Sequence, residues 1–72
     1  MVEIKCGDAD RHKVRRAVEQ LGGSVLEERF GEMFVGWVLT AAIENTAALV
    51  KTLRANCRQL FQIEQVTHES GT

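Results

Sequence analysis

Proline is absent from this chain, cysteine occurs only twice, and neither sign of charge predominates. The missing proline excludes nothing about the fold, because six glycines are available for the turns. Cys6 and Cys57 stand far apart and form neither a Cys-x-x-Cys pair nor a disulfide framework, so a reducing cytoplasm is the expected setting. No apolar run approaches the ~18 residues of a membrane span, and Met1-Val2-Glu3-Ile4-Lys5 lacks the pattern of a signal peptide. A cytoplasmic protein, mature as written and without membrane contact, is expected. Nine Lys and Arg against ten Asp and Glu give a formal charge of −1, without the basic excess of a dedicated nucleic-acid binder.

The chain has 72 residues, which is one domain's worth, since a chain this short buries only ~60 % of its unfolded surface. With 44 % hydrophobic and 26 % charged residues it lies in the ordinary globular range. Residues 2–6 alternate, with Val2, Ile4 and Cys6 on one face and Glu3 and Lys5 on the other, as in a half-buried strand. Gly7 breaks the strand, and Asp8 or Asp10 is placed to cap a helix over residues 8–21. In that helix Val14, Ala17, Val18 and Leu21 form a single apolar stripe, and Gly22-Gly23 stops it. Alternation resumes over 24–30, with Leu26 and Phe30 opposite Glu27 and Arg29. Gly31-Glu32 then predicts a tight turn into a strand over 33–39.

A second helix is expected over 42–56 with Thr40 as cap and Ile43, Ala47, Val50, Leu53 and Cys57 inward, followed by a last strand over 59–67. The element order is βαββαβ. Two right-handed βαβ crossovers laid on one sheet predict a ferredoxin-like α+β sandwich: an antiparallel four-stranded sheet with two helices on one face. The domain is expected to span 1–68, with 69–72 a disordered tail.

Catalytic chemistry finds no footing. A nucleophile needs a base in reach, and His12 and His68 occupy polar positions with no apolar pocket in view. Cys6 and Cys57 fall at core phases, where free cysteine packs as a small hydrophobe, and zinc would require clustered ligands that this chain lacks. Asp8 with Asp10 is explained by capping and Glu27 with Glu28 by a solvated edge. Gly22-Gly23 follows a helix rather than preceding one, the wrong end for a phosphate loop. No catalytic residue, cofactor or metal is expected, and the chain is taken as non-enzymatic.

Two features stand above that background. The run Arg11-His12-Lys13-Val14-Arg15-Arg16 puts four cations in six positions, and Arg11, His12, Lys13 and Arg16 are candidate contacts to phosphate or to an acidic partner. The segment 33–39 offers apolar groups to both faces, so Met33, Val35 and Trp37 are candidate interface residues. The phase leaves two options, with either Phe34 and Val38 or Val35 and Trp37 pointing inward. Gly31, Phe34, Val35 and Trp37 partly resemble the third-strand signature of RNA-recognition motifs, but Glu3, Ile4 and Lys5 stand where the partner strand of that fold carries an aromatic.

Residues 2–66 resemble the small C-terminal domain of the IMPACT/YigZ family. The likeness is carried by Ile4-Lys5-Cys6, by Val14 to Gly23, by Leu26-Glu27-Glu28-Arg29-Phe30-Gly31-Glu32, and by Leu60-Phe61-Gln62-Ile63-Glu64. It implies a ferredoxin-like fold and a role beside translation or RNA. The aromatic expected after the cysteine, the proline at position 40 and the glycine near Arg58 are missing, and so is the larger domain to which that family's function is ascribed. ACT-like regulatory modules and the C-terminal domain of MgtC-type proteins are alternative resemblances. Two classes of function are left open: a protein-interaction or effector-binding module, self-association included, and an RNA-associated module using the basic helix face.

Overall fold

The computed structural model describes residues 1–32 and 35–66. Met33, Phe34, His68 and the tail 69–72 lie outside the described residues. The elements are β1 (Val2–Cys6), a short 3-10 turn (Asp8–Asp10), α1 (Arg11–Gln20), β2 (Ser24–Phe30), β3 (Trp37–Ala42), α2 (Thr46–Asn56) and β4 (Leu60–Gln65). The strands form one antiparallel sheet in the order β2-β3-β1-β4, the arrangement of a ferredoxin-like sandwich. Val2, Ile4, Cys6, Leu39 and Ala41 project from the two central strands onto one face, where Val14, Ala17 and Val18 of α1 and Leu49 and Leu53 of α2 close the core. Among the described residues no helix is long and apolar enough to cross a membrane.

α1 carries its stripe as the spacing requires, and it ends in a Schellman arrangement. The N–H of Gly23 donates to the Val18 carbonyl at 2.9 Å, and that of Gly22 to Glu19 at 3.1 Å. Gly22 takes φ +83°, which only glycine adopts without strain. Leu21, expected in the core, is exposed just past this end.

Four local expectations are corrected. Neither Asp8 nor Asp10 caps α1 with its side chain; a 3-10 turn precedes the helix, and both carboxylates bond to distant segments. The hairpin has no tight turn at Gly31-Glu32: pairing ends at Phe30 opposite Trp37, Gly31 N–H donates to Gly36 O at 2.8 Å, and residues 31–36 form the connection. β3 therefore starts at Trp37 and runs on to Ala42. α2 starts correspondingly later, with the Asn45 side chain accepting from Ala48 N–H at 3.0 Å in place of Thr40. Starting there turns Leu49 and Leu53 inward and leaves Ala47 exposed. The fourth correction is a bulge between Val25 and Glu27, which gives Leu26 no partner on β3 and shifts the phase of the rest of β2. Glu28 and Phe30 consequently share the helix side with Leu39 and Trp37, while Glu27 and Arg29 stay on the open face.

The two thiols are free, Cys6 buried and Cys57 half-buried. Burial, reinforced by the neighbouring Cys57 and Asp10, pushes the Cys6 thiol up to about 11 from 9.0. Well below pH 9 the thiol is protonated whether the chain is folded or not, so it adds no pH dependence there. Between about pH 9 and 11 the unfolded chain releases the proton that the folded one holds, and stability falls. Urea midpoints measured across this window should drop more steeply for the wild type than for Cys6→Ala. Coincident curves would show the thiol to be accessible to solvent.

Candidate interaction surface

Several polar and aromatic side chains meet where the start of α1 crosses the hairpin end of β2 and β3. Trp37 shares its face with Leu39 and Ala41, so the indole lies on the helix side of the sheet. Its Nε1–H donates to Asp8 Oδ1 at 2.6 Å, Phe30 meets it edge-on at 5.5 Å between centroids, and the Arg11 guanidinium stacks 4.0 Å from its ring centre. Arg11 Nε also donates to Glu28 Oε1 at 2.8 Å, and Arg15 reaches Glu28 Oε2 at 2.7 Å. One largely buried carboxylate thus holds two guanidiniums, one of them over the indole.

This arrangement draws charge out of the basic run. Arg11 is committed to Glu28 and Trp37. Lys13 lies 3.6 Å from Asp10 and donates to the Asn56 carbonyl at 3.2 Å, where it also offsets the negative end of α2. His12 and Arg16 are exposed and make no ion pair among the described residues. The four candidate contacts therefore form no cluster of free cations. The pairing with Glu28 depends on the β2 bulge, which simple alternation along 24–30 does not show.

The candidate interface residues separate as well. Met33 lies outside the described residues. Val35 sits in the connection at 82 % exposure, and Trp37 is half-buried on the helix side, so the second of the two phases holds for Trp37 and not for Val35. The apolar open face expected from 33–39 is absent from the described part of β3. There the open side carries Val38, Thr40 and Ala42, flanked by Glu3, Lys5, Glu27 and Arg29, with Arg29 pairing to Glu3 at 3.5 Å. Val38 is only 5 % exposed, and its register neighbours are the long side chains Lys5 and Arg29.

Uncovered apolar surface appears instead along the β2 edge. Leu26 is 56 % exposed at the bulge, Phe30 60 % at the strand end, and Val35 follows in the connection. β2 pairs on one side only, so unpaired backbone groups run beside these side chains. The signal in the sequence was the pair Leu26 and Phe30, which alternation put on one face opposite Glu27 and Arg29.

Among the described residues no group of three or more His, Cys, Asp and Glu is placed to hold a metal ion. No histidine there is hydrogen-bonded to a serine, threonine or cysteine. Compared with known proteins, the chain matches no family model, no curated protein and no solved structure.

Proposed function

We propose that this chain is a non-enzymatic binding module that works through protein contact along the β2 edge, with a second copy of the chain as the partner available to it in isolation. The observation that carries this is the apolar rim of Leu26, Phe30 and Val35 beside an unpaired strand edge. Side chains of this size left in water favour burial, and a strand edge meeting its own copy across a two-fold axis offers the same groups from both sides. A role as an accessory domain of a longer protein would use the same edge. The RNA alternative draws less support, because Arg11 and Lys13 are held by Glu28 and Asp10 rather than presented to phosphate.

Sedimentation over a range from micromolar to millimolar protein provides the test. The wild type is expected to associate as concentration rises, and Phe30→Ser with Val35→Ser is expected to weaken that association about tenfold or more, the scale of an apolar anchor worth over ~1.4 kcal/mol. Both side chains are largely exposed, so the variant should lose only the edge contact of Phe30 with Trp37, about 1 kcal/mol, and stay folded. A single monomeric species at every concentration would overturn the proposal. Binding of RNA that weakens with salt would favour the alternative in its place.

A further inference from the structure

On the opposite edge of the sheet, the C-terminal half of α2 and β4 enclose a groove of about 390 Å³, within the usual ligand-pocket range of ~300–1,000 Å³. Val50, Cys57, Leu60 and Ile63 contribute an apolar patch to a mixed lining that includes Gln62, and Arg54 and Arg58 stand on it as well. Neither arginine has an ion-pair or hydrogen-bond partner among the described residues, and no acidic residue lines the groove.

The neighbouring helix terminus does not cancel this charge. Of the last carbonyls of α2, Asn56 O accepts from Lys13, Thr52 O from the Asn56 side chain, and Leu53 O from Cys57 N–H. Burial, together with nearby Asp10, raises the Cys57 thiol above its ordinary range, so it remains a neutral part of the lining. The contrast with the groove between the two helices is informative. That groove, of about 360 Å³, also carries two cations, Lys13 and Arg16, but Lys13 is already held by Asp10 and Asn56 O.

We infer that the α2–β4 groove binds a small amphipathic monocarboxylate, with the acid head on Arg54 and Arg58 and an apolar body against Val50, Leu60 and Ile63. The chemistry is complementary at both ends. Guanidinium forks match a carboxylate in shape and charge, and the apolar lining gains by removing a short hydrocarbon from water. A phosphate without an apolar body would use only half of the site, and a neutral hydrocarbon only the other half. The inference is independent of protein contact at β2, which lies across the sheet.

The test is an amide chemical-shift titration of the full chain with sodium octanoate, octanamide and sodium acetate. Octanoate is expected to give saturable shifts centred on Val50, Cys57, Leu60 and Ile63, with octanamide and acetate each at least about tenfold weaker. Arg54→Gln with Arg58→Gln should abolish the preference of octanoate over octanamide while the spectrum keeps its folded dispersion. As a second readout, octanoate should slow alkylation of Cys57 in the wild type and not in the double variant. Equal affinity for octanoate and octanamide, shifts that never saturate, or a double variant that binds octanoate as the wild type does would each overturn the inference.

Discussion

Replacing Asp10 by alanine is expected to lower the free energy of unfolding by about 2–4 kcal/mol, a large share of the roughly 4–11 kcal/mol that a domain of this length commands. Asp10 is 1 % exposed and lies in the 3-10 turn ahead of α1. Its Oδ2 accepts from Gln59 N–H at 2.5 Å, while Oδ1 faces Lys13 at 3.6 Å. The contact reinforces a second one, in which Gly7 N–H donates to Gln59 O at 2.7 Å, so the segment after β1 is tied to the segment between α2 and β4. Truncation leaves the Gln59 N–H without its acceptor in a part-buried site, opens a void and frees Lys13. Asp10→Asn keeps an acceptor oxygen and should lose less than half as much. Urea unfolding monitored by tryptophan emission would show the ordering, with midpoints shifting and the slope unchanged. Equal losses for alanine and asparagine would mean that charge, and not the hydrogen bond to Gln59, holds the two segments together.

Trp37→Ala is expected to destabilise the monomer by about 2–3 kcal/mol, below the ~3–5 of a fully buried aromatic because the indole is half-exposed. The loss combines the edge contact with Phe30, the stacked Arg11 guanidinium and the bond to Asp8. Trp37→Phe retains ring area and loses the Nε1–H donor, so it should lie between the alanine variant and the wild type. Because the indole points to the helix side, self-association at matched folded concentration should change little. Phe30→Ser with Val35→Ser should give the reverse pattern, weakening association at a cost in stability of about 1 kcal/mol, that of the lost edge contact. Calorimetric unfolding together with sedimentation of the four proteins distinguishes these outcomes. A Trp37→Ala variant with unaltered stability and lost association would place the indole at a contact between copies.

The parts of the fold legible in the sequence are those set by neighbours along the chain. Alternation of Val2, Ile4 and Cys6 defines β1 and its buried face. The spacing of Val14, Ala17 and Val18 defines the inner face of α1, and Gly22-Gly23 defines its end, because period and cap chemistry act within a few residues. With the order of elements and the handedness of crossovers, these suffice for the sandwich itself.

Tertiary structure decided what depends on partners far away in sequence. Residues 33–39 are apolar nearly throughout, so no period marks where a strand begins. Pairing with Phe30 on one side and Cys6 on the other set that start at Trp37, carried the strand to Ala42 and so delayed α2 to Thr46. The unpaired Leu26 is likewise a property of two strands in register, invisible in either alone, yet it turns Glu28 toward α1. Arg11 and Arg15 then find a carboxylate, and a run of cations that looked free becomes a structural ion cluster. Asp8 and Asp10, local caps by their position, bond instead to Trp37 and Gln59, and for Asp10 the reason is that the part-buried Gln59 N–H would otherwise lack an acceptor.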